Sequence, residues 1–188
     1  MSYAITALEP RHQGWSNFYV ATVRTPEGEE IRRELEDHGE AVAVLPYDPD
    51  RRVAMLVRQY RTPVLYAAGR QDLLEAPAGL LDGPDPEQDA RREAREEVGL
   101  HLRAAEKLGT VWSMAGISTE RIHLFLAVYS GADPHEAGGG LAEEHEDITK
   151  VEMPLAELAA MADAGRLDDA KTLILVQTLR LRRPDLFA

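Results

Sequence analysis

The sequence predicts an α/β fold: a mixed β-sheet sandwiched between helices, with a small antiparallel sheet ahead of it. Three observations lead there. Short apolar or β-branched runs bounded by turn residues recur over residues 18–57 and 108–129. A sharply bounded helical segment, residues 86–98, separates those two groups. Two more helical patterns, over 154–164 and 169–182, come after a last strand signal at 151–153.

Taken in order, residues 18–24 (FYVATVR) alternate and are rich in β-formers, residues 25–28 (TPEG) read as a turn, and residues 30–36 supply the second arm of a hairpin. Residues 1–39 are more polar than the apolar runs beyond them. They are expected to form a small N-terminal β-region serving dimer and substrate contacts, with residues 40–188 as the main domain. Residues 41–45 (AVAVL) and 53–57 (VAMLV), joined by the turn Tyr47-Asp48-Pro49-Asp50, suit two buried strands. Residues 73–79 (LLEAPAG) read as a strand running into a loop. For the helix over 86–98, Asp85 is a good N-cap, Pro86 suits the first helical position, Gln88 completes a capping box and Gly99 stops the helix. Residues 108–112 and 122–129 read as strands. Residues 134–144, with Gly138-Gly139-Gly140 and several acids, are expected to form a mobile loop.

Composition narrows the function. At 188 residues with 44% hydrophobic and 29% charged residues, the chain reads as a globular domain with a substantial core. The net charge of −12 disfavours nucleic-acid binding, which uses a basic face. Cysteine is absent, so thiolate metal sites, disulfides and a cysteine nucleophile are excluded. No apolar run approaches the about 20 residues a membrane span needs, and no basic-then-apolar leader opens the chain, so a cytoplasmic protein without membrane contact is expected. An acidic protein acting on a phosphorylated substrate needs local inversion of charge, through metal ions and a few placed cations.

The chemistry concentrates in residues 79–100 (GLLDGPDPEQDARREAREEVGL). Glu93, Glu96 and Glu97 fall at i, i+3 and i+4, which puts three carboxylates on one helical face with Cβ atoms about 5–6 Å apart. Such a cluster suits a hard divalent cation. Taken alone, the same residues equally describe a solvated helix face with Arg91, Arg92 and Arg95 offsetting the repulsion.

The context selects between these readings. Arg92-Glu93-Ala94-Arg95-Glu96-Glu97-Val98-Gly99-Leu100 resembles the second half of the Nudix box, and Gly79 its opening glycine. The spacing from Gly79 to Arg92 is one residue shorter than usual, and Pro84 or Asp85 falls where the box carries a loop glutamate. The chain is most similar to the GDP-mannose hydrolase and ADP-ribose pyrophosphatase branch. Its matches are Arg58-Gln59-Tyr60-Arg61, Ala78 to Asp82 (AGLLD), Ser113, Gly116, Thr119 and Glu120 ahead of Ile122-His123-Leu124-Phe125, the glycine-rich acidic loop through Glu144-His145-Glu146-Asp147, and Asp169-Ala170-Lys171-Thr172.

The resemblance implies a Nudix α/β/α sandwich and an enzyme that uses Mg²⁺, with Mn²⁺ able to substitute, to hydrolyse the diphosphate of a nucleoside diphosphate sugar. It implies Glu93, Glu97, the carbonyl of Ala78 and Glu146 as metal ligands, with Glu96 ligating or orienting from behind. Glu144 matches a mobile-loop acid that takes the proton of the attacking water, and Glu96 or Glu97 are the alternatives for that role. Arg61 matches a diphosphate contact, Lys171 and Glu120 match substrate contacts, and Gly79 and Leu80 lie where the box meets substrate. Against these stand plainer readings: Arg61 as a surface cation, Glu120 in a loop salt bridge, His145 as a substrate group or an exposed loop residue. A cation in the first turn of a helix opposes the macrodipole, which favours a role for Lys171. His123 reads as a satisfied core histidine. Trp15, Phe18 and Arg33 occupy the region that in dimeric relatives reaches the partner's site, so a homodimer is expected. A non-catalytic nucleotide-sugar sensor is the alternative function, but Glu93, Glu96 and Glu97 are all retained. An oxidised-nucleotide hydrolase is disfavoured by the N-terminal region and the late acidic loop, and an RNA-decapping enzyme by the acidic charge.

Overall fold

The computed structural model describes residues 2–133, 135–140 and 148–188. The chain divides into two compact units, residues 1–40 with 112–121 and residues 41–111 with 122–188.

In the first unit, β1 (Ala4–Gln13), β2 (Asn17–Arg24) and β3 (Glu30–Asp37) form an antiparallel sheet in that order. The turn predicted at residues 25–28 is present, closed by the Gly28 N–H on the Thr25 carbonyl (3.0 Å). β1 was not expected. Every residue of that strand is exposed, so no alternation of polarity marks it. Pro10 is tolerated because this is an edge strand, and the register shifts beside it.

Residues 112–121 fold back onto the end of β3. The Glu36 N–H donates to the Ile117 carbonyl (2.8 Å), and the Glu36 carbonyl accepts from the Thr119 N–H (2.9 Å). The Glu36 carboxylate accepts from the hydroxyls of Ser16 and Ser118 and lies 2.5 Å from His38 Nδ1. His38 Nε2 is 3.3 Å from Glu120 Oε1, and Trp15 stacks on the ring at 4.7 Å between centroids.

The second unit is built on a seven-stranded mixed sheet. Its strands are β4 (Ala41–Asp48), β5 (Val53–Gln59), β6 (Leu73–Glu75), β7 (Ala78–Leu80), β8 (Glu106–Trp112), β9 (Arg121–Val128) and β10 (Ile148–Pro154). The main path runs β10-β5-β4-β9-β8, parallel between β4 and β9. Among the described residues four α-helices accompany it: α1 (Thr62–Ala68), α2 (Pro86–Val98), α3 (Leu155–Asp163) and α4 (Ala170–Arg182). Helix α1 has no counterpart among the sequence expectations because it buries none of its seven residues and so has no apolar stripe.

β4 is buried along its whole length, which a strand covered on both faces must be. Ala41, Ala43 and Leu45 join a core with Leu155, Leu158, Leu175 and Leu179 of α3 and α4. Val42 and Val44 join a second core with Ala90, Ala94 and Val98 of α2 and with Phe125. Alternation along one strand thus sends neighbouring residues into opposite layers, and the α/β/α sandwich results. Among the described residues no helix is long and apolar enough to cross a membrane.

The His38 cluster makes stability depend on pH. Burial lowers the affinity of His38 for a proton, but the hydrogen bond and charge of Glu36, and the charge of Glu120, outweigh it and raise the pKa above its ordinary 6.5. A raised folded value means that the increment is fully present below about pH 6.5 and lost as pH rises through the folded value. Thermal melts across about pH 5.5 to 8.5 are expected to show Tm falling with pH in the wild type and a flatter profile in His38→Gln. Superimposable slopes would show that His38 does not govern this dependence.

Candidate active site

The site is laid out by a fork in the sheet. β4 and β5 pair only at their far ends, Tyr47 with Ala54 and Asp48 with Val53. Beyond that point β6 takes the edge of β5 (Val57 with Glu75, Gln59 with Leu73), and β7 takes the edge of β4 (Ala43 with Ala78, Ala41 with Leu80). Residues 75–78 cross between them, each tied to a different part of the fold. The Glu75 carboxylate accepts from Arg61 and Lys171. The Ala76 N–H donates to Thr172 Oγ1 (2.6 Å), and the Pro77 carbonyl accepts from the Val44 N–H (2.9 Å). The Ala78 N–H donates to Glu97 Oε2 (3.1 Å).

Helix α2 begins and ends where the sequence predicts. Asp85 caps it through the Glu87 N–H (3.1 Å), one residue earlier than a capping box would use, and Gly99 closes it in the left-handed conformation. Glu93 and Glu97, one turn apart, are buried at 8% and 2% exposure. Glu96 departs from them: it is partly exposed and held by Arg92 Nη1 (2.8 Å). Arg92 also reaches Glu93 (2.8 Å), the Leu80 carbonyl (3.2 Å) and Asp89 (3.3 Å). Burial works against its charge, but Glu93 and Glu96 outweigh that and raise its pKa. Gly79 faces this carboxylate row. A Cβ there would overlap the Glu93 carboxyl group, so only glycine leaves both in place.

On the other side of the crossing lie two cations. Arg61 Nε and Nη2 grip Glu75 Oε1 and Oε2 at 2.8 and 3.1 Å, and Lys171 Nζ bonds the same carboxylate and Asp169 Oδ1 (3.0 Å). Asp169 caps α4 through the Thr172 N–H (2.9 Å) and accepts the Thr172 hydroxyl. Burial pushes the Glu75 carboxyl up, yet Arg61 and Lys171 hold it below the usual carboxylate range. Burial likewise works against the Arg61 charge, and Glu75 outweighs it, with Glu97 and Asp169 close enough to add to the rise. Glu75 was not singled out from the sequence. Its signal was a lone acid inside an apolar strand pattern.

The described part of the glycine-rich segment, residues 135–140, lies against the end of α2. The N–H groups of Gly139 and Gly140 donate to the carbonyls of Glu97 (2.8 Å) and Glu96 (3.1 Å), satisfying the end of α2. Gly138 has φ 61° and lies against the backbone of residues 97–99, where a Cβ would not fit. Gly138 therefore serves close backbone approach. Glu144, His145 and Glu146 lie outside the described residues.

Of the remaining expected site residues, Arg33 and Glu120 belong to the first unit. Arg33 is exposed and donates to the Arg32 carbonyl (2.8 Å), and Glu120 faces His38. His123 is buried with Nδ1 2.9 Å from Thr110 Oγ1, as a core histidine should be. Gln59 is buried, and its Nε2 has no hydrogen-bond partner among the described residues.

The second unit thus brings together Ala78, Gly79, Leu80, Glu93 and Glu97 on one side and Arg61 and Lys171 on the other. Two buried carboxylates beside a strand backbone stripped of its side chain at Gly79 are hard oxygen donors, which fits a divalent cation. Among the described residues no three His, Asp or Glu side chains form a metal-holding group, so the pair would be completed from elsewhere. Replacing Thr172 by Val removes both bonds of a hydroxyl that is fully buried. Leaving the Ala76 N–H and Asp169 without it is expected to cost about 1–3 kcal/mol in chemical denaturation. A change under about 0.5 kcal/mol would show that the crossing does not depend on it.

Comparison with known proteins agrees with this geometry. The NUDIX domain family matches residues 37–175. The chain is 42% identical over 160 residues to a GDP-mannose pyrophosphatase of Cronobacter sakazakii, covering 83% of this chain and 82% of that one. It is 39% identical over 168 residues to the GDP-mannose pyrophosphatase of Pectobacterium atrosepticum, covering 87% and 86%. Among solved structures, one described as an ADP compounds hydrolase superposes with a TM-score of 0.75 at 17% identity, covering 98% of this chain and 96% of that one, a likeness of fold. With its box helix, its forked sheet and these relatives, the chain belongs to the NUDIX domain family.

Proposed function

We propose that this protein is a Mg²⁺-dependent pyrophosphohydrolase that cleaves the diphosphate linkage of a nucleoside diphosphate sugar, of the GDP-mannose or ADP-ribose type, to a nucleoside monophosphate and a sugar phosphate. One observation carries the reading: Glu97, one turn from the likewise buried Glu93, and a cation pair, Arg61 and Lys171, are tied to the two ends of one four-residue crossing. The relatives named GDP-mannose pyrophosphatase support the substrate class.

In this reading Glu93, Glu97, the carbonyl of Ala78 and Glu146 hold the cation. When bound, it would neutralise diphosphate charge and acidify a water, the chemistry that divalent ions supply to phosphoryl transfer. Arg61 presents a planar fork suited to two phosphate oxygens, and Lys171 adds a point charge beside it. Gly79 and Leu80 bring strand backbone up to the substrate. Glu144 takes the proton from the attacking water, with Glu97 and Glu96 as alternatives. Glu96 is the weaker of these because Arg92 already engages its carboxylate. Arg33, Glu120 and His145 are assigned to the nucleoside or sugar. The boundary between an N-terminal region (1–39) and the catalytic domain (40–188) is part of the proposal. So is a homodimer built through the three-stranded sheet, whose fully exposed β1 carries Ile5 and Leu8. A cysteine-free chain acting on nucleotide sugars fits the cytoplasm.

The test is a panel of GDP-mannose, ADP-ribose, UDP-glucose, NADH and 8-oxo-dGTP with Mg²⁺, with products resolved by chromatography. Preferential turnover of one nucleoside diphosphate sugar, abolished by EDTA, is expected. Glu97→Gln should fold, because the amide oxygen can still accept from Ala78, yet lose more than about 90% of kcat, a barrier rise above about 1.4 kcal/mol. Tight binding of one substrate with no turnover of any would replace the enzyme with a sensor.

A further inference from the structure

Glu75 ends a strand that runs on through apolar residues to the Nudix box, and its side chain is only 2% exposed. An ionised carboxylate so buried persists only when it is paired and hydrogen-bonded. Here both oxygens are used. Oε1 accepts from Arg61 Nε, and Oε2 accepts from Arg61 Nη2 and Lys171 Nζ. The three residues come from separate elements: Arg61 precedes α1, Glu75 ends β6, and Lys171 lies in the first turn of α4.

The balance of charge says what this arrangement does. Arg61 and Lys171 face Glu75 and Asp169, two positive against two negative groups, so the cluster is not a reservoir of positive charge. What it supplies is direction. A fork-to-fork pair fixes the plane of the guanidinium, and two carboxylates hold an ammonium whose four-carbon stem would otherwise sample many rotamers. The Arg61 side chain remains 40% exposed, and Nη1 takes no hydrogen bond among the described residues. Arg61 is anchored from behind and presented in front, with the 11% exposed Lys171 side chain fixed beside it, so the pair is preorganised before an anion arrives.

We propose that Glu75 is a positioning residue that fixes Arg61 and Lys171 side by side as a clamp for the substrate's diphosphate; this rests on the nucleotide-sugar reading above. Glu75 acts through the two cations and does not itself touch substrate.

The experiment compares Glu75→Gln, Glu75→Asp, Lys171→Gln and the double variant Glu75→Gln/Lys171→Gln in steady-state kinetics with GDP-mannose. It is paired with calorimetric titration of methylenediphosphonate in EDTA, which needs neither metal nor turnover. The loss in Glu75→Gln is expected to fall on KM, at least about tenfold, rather than on kcat. Partial recovery in Glu75→Asp is expected, with a double variant within about twofold of Glu75→Gln alone because both changes disable one clamp. Methylenediphosphonate binding should weaken in parallel. If Glu75→Gln does not fold, Arg61→Lys, Lys171→Gln and their double variant carry the test by the same non-additivity. Folded variants with a lowered Tm, unchanged KM and unchanged diphosphonate binding overturn the clamp while leaving the substrate reading intact. Wild-type protein that binds the diphosphonate in a Glu75-dependent way but hydrolyses no nucleoside diphosphate sugar overturns the substrate reading alone.

Discussion

Where β4 and β5 part, the backbone groups along their facing edges lose each other as partners, and burial makes leaving them unpaired costly. The fold meets this by inserting two three-residue strands, β6 on β5 and β7 on β4. Residues 75–78 then have to cross the gap, and they do so with every step bonded: to Arg61 and Lys171, to Thr172, to Val44 and to Glu97. A crossing so tied cannot shift without breaking contacts to β4, α2 and α4 together. The separation between the carboxylate row and the cation pair is therefore set by the same bonds that close the sheet.

This construction reconciles an acidic protein with an anionic substrate. The net charge is −12, and many basic side chains are engaged in exposed pairs, such as Arg95 with Glu136 and Arg180 with Asp163. Pairs of that kind contribute little, about 0–1 kcal/mol. Arg61 and Lys171 differ in sharing a buried carboxylate, where solvent screens less and geometry is fixed. Arg92 plays a comparable part on the box helix, spanning Glu93, Glu96 and the Leu80 carbonyl, and so limits the repulsion that three acids on two turns would otherwise produce.

Much of this was legible in the sequence, and the parts that were not share physical causes. The box helix ran from Pro86 to Val98 because its punctuation, Asp85, Pro86 and Gly99, is local chemistry that tertiary context did not override. The hairpin turn at residues 25–28 was readable for the same reason. β1 and α1 were invisible because neither buries a face, so neither leaves a period in the residue pattern. The fork could not be seen either, since β6 and β7 are three residues each and look like one strand entering a loop. The contact of Gly138 with the end of α2 was not readable either, because it is a relation between distant segments. Glu75 was overlooked because a buried acid is informative only once its two cations are known to converge on it.

The central claim is that the diphosphate lies between the Glu93–Glu97 pair and the Arg61–Lys171 pair. The measurement that tests it most directly is a crystal structure with Mg²⁺ and a methylene-bridged, non-hydrolysable analogue of GDP-mannose. The bridged phosphonates are expected to contact Arg61 and Lys171 on one side and, through metal ions held by Glu93 and Glu97, the box helix on the other. Phosphonates bound elsewhere, or bound here without contact to Arg61 and Lys171, would contradict it.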